Sequence, residues 1–310
     1  MPRLGCCLLF AALLAASSTA AQEPVFRAGV DLVTFGVTVV DRKGNFVTDL
    51  GPSDFVVVED GREQTVQYFS GATGPDTAPA LAPELFKKHL GLMLDTSGSM
   101  ESDLKLARSA AIKFLNLLPE AEDITLVDFD SEVRVGRYPQ RDFVRLVERI
   151  RRRKADGMTA LYDALGVYLD GADQQDGRKI LVMYTDGADS QSELSWTDTL
   201  NLLKASDVTV YAVGLLDHSG SLRNELRMRL QQLTEVTGGL AFFPEQLKEL
   251  DGSYAKILDE IKAQYHLGYA STNAAPDGTW RKVEIKVRRP DLKIRARKGY
   301  FAPMKVSQAR

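Results

Sequence analysis

Asp95-Thr96-Ser97-Gly98-Ser99 sets one carboxylate and two hydroxyls at alternate positions, with a glycine between the serines. Three oxygen donors so spaced can curl round one cation. Hard oxygens of this kind suit Mg²⁺, Mn²⁺ or Ca²⁺ and suit zinc poorly. A second carboxylate, Asp186 in Thr185-Asp186-Gly187, and a further hydroxyl, Thr159 in Gly157-Met158-Thr159-Ala160, lie far off in the chain. Two carboxylates nearly neutralise a divalent ion. Five side chains, some acting through water, leave a coordination place that an acidic group of a partner can fill.

The elements needed to bring these residues together are legible around them. His89 to Leu94 is a largely apolar strand that ends at Asp95, and Ile180 to Tyr184 is another that ends just before Asp186. Strands apolar on both faces belong to parallel sheets covered by helices. Helical patterns over 101–118, 141–153, 160–171, 195–206, 222–236 and 247–265 alternate with strands at 124–129, 133–138, 208–215 and 240–243. This order predicts a doubly wound α/β domain, mainly parallel, with ligands at the carboxyl ends of its strands.

The flanks read as β structure. Leu32 to Val39, Phe55 to Val58 and Thr65 to Phe69 precede the α/β region, and Tyr265–Ala270, Trp280–Val287 and Leu292–Ala296 follow it. Neither set makes a comfortable sandwich alone, because a sheet of two or three strands is marginal. The expectation is that they pair with each other. The predicted organisation is a signal peptide over 1–21, a β segment over 22–70, a linker over 71–86, the α/β domain over 87–264, a β segment over 265–303 paired with 22–70, and a tail over 304–310.

The signal peptide rests on Arg3, the apolar run Leu4 to Ala16 and the small residues after it. That run is shorter than the roughly 20 residues that span a bilayer. No later segment is long and apolar enough to span, so the expected location is secreted or periplasmic. Both cysteines, Cys6 and Cys7, fall inside the leader, which leaves no disulfide or thiol chemistry after cleavage. A formal net charge of −3 argues against a nucleic-acid partner. The sequence carries no sign of oligomeric state.

Each residue also has a plainer reading. Ser97 and Ser99 can cap the helix expected near Glu101, and Thr159 can cap the next one. Asp186-Gly187 alone reads as a turn. Asp128 and Asp130 end a strand and read either as solvated loop carboxylates or as groups behind the metal ligands. Asp163, one helical turn past Thr159, reads equally as such a group or as a surface residue. The basic run Arg149 to Lys154 suits a helix C-terminus better than a polyanion site. The basic residues of the last strands read as a solvent face. His89, His218 and His266 share no ligand spacing. Trp196 and Trp280 read as packing residues.

Asp-x-Ser-x-Ser with a distant Thr and a distant Asp-Gly resembles the metal-ion-dependent adhesion site of von Willebrand factor type A (VWFA) domains, over about residues 87–265. The resemblance implies that Ser97, Ser99 and Thr159 ligate the ion and that Asp95 and Asp186 mostly hold its waters. No position departs from the motif. Asp54 to Gln64, Tyr265-His266-Leu267-Gly268-Tyr269 and Arg297 to Phe301 look like the flanks of secreted bacterial VWFA-related proteins of the kind found in Acidobacteria. The function expected is a cation-dependent protein-binding module of the envelope or extracellular space, not an enzyme. One alternative is an envelope protein that the metal merely stiffens. The other is a phosphatase-like hydrolase using Asp95, but such sites want a second Asp where Ser97 stands. No phosphate loop, Ser-His-Asp set or nucleotide fingerprint is visible.

Overall fold

The computed structural model describes residues 32–71, 87–117, 121–245 and 247–304. The expectations for the signal peptide, for most of the linker, for the tail beyond Met304 and for the helix end at Leu118-Pro119 lie outside the described residues.

A six-stranded sheet carries the α/β part. Its strands are β5 (Lys88–Asp95), β6 (Asp123–Phe129), β7 (Val133–Pro139), β8 (Arg178–Thr185), β9 (Thr209–Gly214) and β10 (Ala241–Phe242). Their order is β10-β9-β8-β5-β6-β7, all parallel except β7, which runs antiparallel along β6. The chain leaves β5 towards β6 and later returns to β8 on the other side, so the strand order reverses at β5. That reversal opens a crevice at its carboxyl end. Register places Asp95 opposite Phe129 of β6 and Leu94 opposite Tyr184 of β8.

Helices cover both faces because both faces are apolar. Leu90, Leu92 and Leu94 point into a core with α1 (Leu104–Asn116), α2 (Phe143–Arg152) and α6 (Leu247–Ala263). Met93, Leu181 and Met183 point into the opposite core with α3 (Leu161–Asp173), α4 (Trp196–Ala205) and α5 (Arg223–Glu235). Gly91 sits where a Cβ would meet the Tyr168 ring at 2.3 Å, so α3 packs closely only because that position has no side chain.

The flanking segments form two further sheets. Their strands are β1 (Leu32–Val40), β2 (Phe55–Glu59), β3 (Arg62–Gln64), β4 (Tyr68–Ser70), β11 (Tyr265–Ala270), β12 (Trp280–Val287), β13 (Lys293–Arg295) and β14 (Gly299–Phe301). The orders are β13-β1-β11-β4 and β14-β12-β2-β3. N-terminal strands thus pair with C-terminal ones, β1 with β11 and β2 with β12. The two sheets share a core that includes Phe35, Val37, Phe55, Val57, Tyr265, Leu267 and Tyr269. The fold is therefore α/β with an additional β-sandwich from both flanks.

Two details differ from the sequence reading. The strand expected over Thr65–Phe69 starts later, at Tyr68, as β4; the preceding β3 (Arg62–Gln64) was not anticipated and lies in the other sheet, with residues 65–67 between them. β14 was not anticipated as a strand. Three residues are too few to show a period.

Buried polar groups tie the sandwich to the α/β part. Glu260 of α6 accepts hydrogen bonds from the Tyr211 hydroxyl (3.0 Å) and the Thr38 hydroxyl (3.3 Å) and pairs with Arg295. Arg297 donates to the carbonyls of Ser206 (2.8 Å) and Thr34 (2.7 Å). The solvent-face reading of the last basic residues therefore fails for Arg295 and Arg297. No helix of the described residues is long and apolar enough to cross a membrane.

Candidate metal centre

The turn after β5 folds back on its own strand. Asp95 Oδ1 accepts from the Ser97 hydroxyl (2.6 Å) and the Ser97 amide (3.0 Å), and the Ser97 and Ser99 hydroxyls are 3.1 Å apart. From the neighbouring strand, the Thr185 hydroxyl donates to Asp95 Oδ2 at 2.6 Å. Asp95, Thr96, Ser97 and Thr185 are fully buried, whereas Gly98 and Ser99 are exposed. The helix after the turn begins only at Leu104, and Ser97, which heads the short 3-10 turn Gly98–Met100, makes no capping bond with its side chain. The capping reading of these serines is thus set aside: the Ser97 hydroxyl turns to Asp95 and Ser99 instead.

The loop bearing Thr159 docks against the same turn. The Asp156 amide donates to the Thr96 carbonyl (2.9 Å), and the Gly98 amide donates to the Gly157 carbonyl (3.0 Å). Gly157 has φ +73°, and a Cβ there would meet the Ser131 hydroxyl at 2.7 Å, so glycine is required to make the approach. Thr159 is 4% exposed, and its backbone is pinned to the loop after β8. Its amide donates to the Ser190 hydroxyl (3.0 Å), and its carbonyl accepts from the Ser190 amide (2.9 Å). The cap position of α3 is Ala160, not Thr159.

Asp186 follows β8 and is 8% exposed. Its Oδ1 accepts the Ala188 amide (2.9 Å), so the turn reading holds for one oxygen. Its charge still reaches Asp95. Burial, and then the negative charge of Asp186, push the Asp95 carboxyl up to about 7, against the opposing hydrogen bonds from Ser97 and Thr185. Among the described residues neither aspartate forms an ion pair with a lysine or arginine.

The neighbouring strand shows the contrast. Asp128 is also fully buried, but its oxygens take Arg134 Nε (2.9 Å), Arg149 Nη2 (2.6 Å) and Arg153 Nε (2.5 Å). It is neither a solvated loop carboxylate nor a group turned towards Asp95. Asp130 pairs with Arg134. Asp163 accepts the amides of Glu193 and Leu194, both at 2.9 Å, and so ties α3 to the loop that starts at Asp186. Sequence reasoning missed Thr185 and Ser190. Thr185 adjoins Asp186 at a strand end, which was the available signal, and Ser190 carried none.

The donors that converge are two carboxylates and hydroxyls. Among the described residues no three His, Cys, Asp or Glu side chains gather as a metal site of their own. Hard oxygens around an uncompensated buried carboxylate fit Mg²⁺, Mn²⁺ or Ca²⁺.

Residues 90–188, about a third of the chain, match the von Willebrand factor type A domain family. No curated protein matches the chain. Among solved structures, the chain is similar to a von Willebrand factor type A protein from Catenulispora acidiphila. The identity is 14%, with 88% of this chain and 74% of that one covered and a TM-score of 0.47. It is also similar to an aerotolerance-related membrane protein from Bacteroides fragilis (16% identity, 56% and 98% covered, TM-score 0.46). A third is the vWF domain of the type V pili tip protein Mfa5 from Porphyromonas gingivalis (12% identity, 56% and 96% covered, TM-score 0.46).

Proposed function

We propose that Asp95, Ser97, Ser99, Thr159 and Asp186 hold a divalent cation, Mg²⁺ or else Mn²⁺ or Ca²⁺, and that the protein is a cation-dependent protein-binding module. One observation carries this reading. Two recessed carboxylates face each other electrostatically with hydroxyl and amide donors but, among the described residues, no cationic side chain, while Asp128, one strand away, takes three arginines. An unpaired buried charge is costly, and a bound cation supplies what the side chains do not.

Exposed Ser99 beside buried Ser97 lets the ion be reached from solvent, where an acidic group of a partner completes its coordination. The Ser97 hydroxyl and the Asp95 carboxylate that pair at 2.6 Å are both among the residues that hold the ion, and the reading is of binding rather than catalysis. The leader-like residues 1–21 direct the module to the periplasm or the outside of the cell.

Thermal unfolding of metal-stripped protein tests this. A ligand held at 100 times its Kd by the folded state alone adds about 2.7 kcal/mol. Millimolar Mg²⁺ or Mn²⁺ is expected to raise Tm in the wild type and not in Asp95→Ala, and a glutamate-containing peptide is expected to bind the loaded form only. No Tm shift contradicts the metal. A shift without peptide binding contradicts capture of acidic groups and leaves a metal-stiffened protein.

A further inference from the structure

Residues 134–154 carry eight arginines and one lysine against Asp142 and Glu148, a net of seven positive charges in a chain whose formal total is −3. A helix C-terminus accounts for only part of this. Arg145 sits in the first turn of α2, where a cation is disfavoured by the helix dipole. Arg145, Arg149 and Arg152 are spaced by four and three, which puts them on one face of the helix.

That face borders a recess of about 400 Å³ between β7 and α2, lined by Tyr138, Arg145, Glu148, Arg149, Arg152 and Arg153. The volume lies within the range of about 300–1,000 Å³ typical of small-ligand sites. Two of the guanidiniums are fixed from beneath. Arg149 and Arg153 rest on buried Asp128, and Arg149 Nη1 also donates to the Tyr138 hydroxyl at 3.1 Å. The other two stand at the mouth. The Arg152 side chain is 81% exposed and reaches only Glu148, at 3.6 Å, and exposed Arg145 has no partner among the described residues. Four guanidiniums thus face two carboxylates, one of which, Asp128, is shared with Arg134.

We propose that this recess is an anion site for a soluble polyanion with consecutive phosphate groups. Guanidinium forks match the oxygens of tetrahedral oxyanions bidentately, and multiply charged groups use several forks at once, whereas a lone carboxylate uses one. The recess is concave, and the apolar face of α2, with Leu146 and Ile150, is buried in the core, so the helix has no face to lay on a lipid surface. The site is separate from the Asp95 centre and needs no metal.

Titration of tripolyphosphate into metal-stripped protein, followed by calorimetry, tests it. One equivalent is expected to bind, more weakly when NaCl rises from about 0.05 M to about 0.3 M. Arg145→Glu/Arg152→Glu is expected to lower the affinity at least about tenfold without changing Tm, since neither side chain is buried. Arg145→Gln/Arg152→Gln should fall between it and the wild type. No binding, equal binding by the charge-reversed variant, or equal or tighter binding of poly-glutamate or phosphatidylglycerol vesicles would overturn the proposal. Because metal is absent throughout, the result does not depend on the cation reading.

Discussion

The Thr185 hydroxyl donates to Asp95 Oδ2 at 2.6 Å across two neighbouring parallel strands, and it also accepts the Gly187 amide at 2.9 Å. One threonine therefore orients the buried carboxylate and shapes the turn that presents Asp186. Thr185→Val keeps the volume and removes both functions. Leaving a buried acceptor without its donor costs about 1–3 kcal/mol. Urea unfolding should show that loss, together with weaker Mg²⁺ stabilisation. Wild-type values for both would show that Asp95 is held by Ser97 alone.

Asp128 balances three arginines. Removing one partner of a buried ion pair costs about 3–5 kcal/mol. Asp128→Asn should lose stability on that scale in chemical denaturation while keeping its response to Mg²⁺. A loss below about 1 kcal/mol would mean that the arginines re-solvate freely.

Glu260 joins α6 to β9, β1 and β13 through Tyr211, Thr38 and Arg295. Glu260→Gln leaves the half-buried Arg295 guanidinium without its counter-charge. A destabilisation of about 3 kcal/mol is expected in urea unfolding. Tyr211→Phe, which removes one hydrogen bond, should cost about 1 kcal/mol. Equal losses in the two variants would contradict the ion pair as the dominant contribution.

His266 lies buried in β11. Burial first, and then the charges of Arg178 and Lys88, hold its pKa well below the usual 6.5. The folded state keeps a neutral imidazole, whereas the unfolded chain takes up a proton below about 6.5. Its contribution is therefore complete above pH 6.5 and is lost as the pH falls towards the depressed folded value, by at most about 1.4 kcal/mol per pH unit for one proton. Unfolding free energies from pH 8 to pH 5 should fall more steeply for the wild type than for His266→Gln. Parallel curves would contradict a buried neutral histidine.

Much of this architecture was legible in the sequence, for identifiable reasons. Leu90 to Leu94 and Ile180 to Tyr184 are apolar on both faces, which only a covered parallel sheet accommodates. That placement puts Asp95 and Asp186 at adjoining strand ends. The partnership of Asp128 was not legible, because Arg134, Arg149 and Arg153 come from β7, from α2 and from the loop beyond it, and spacing says nothing of their convergence. The assignment of β3 and β4 to different sheets was hidden for a related reason. An alternating pattern fixes which side chains face inward but not which strand they pair with. Ser190 holds Thr159 through its hydroxyl and its amide, but both bonds go to backbone groups of Thr159, which leave no mark on that residue's type.

The proposed cation site joins five oxygen-bearing side chains around one divalent ion. Calorimetric titration of Mn²⁺ into metal-stripped protein, in parallel with Asp95→Ala and Ser99→Ala, measures it directly. One equivalent bound by the wild type, displaced by Mg²⁺ and lost or strongly weakened in both variants, is the predicted result. Binding unchanged in the variants, or none at millimolar Mn²⁺ in folded wild-type protein, would contradict it.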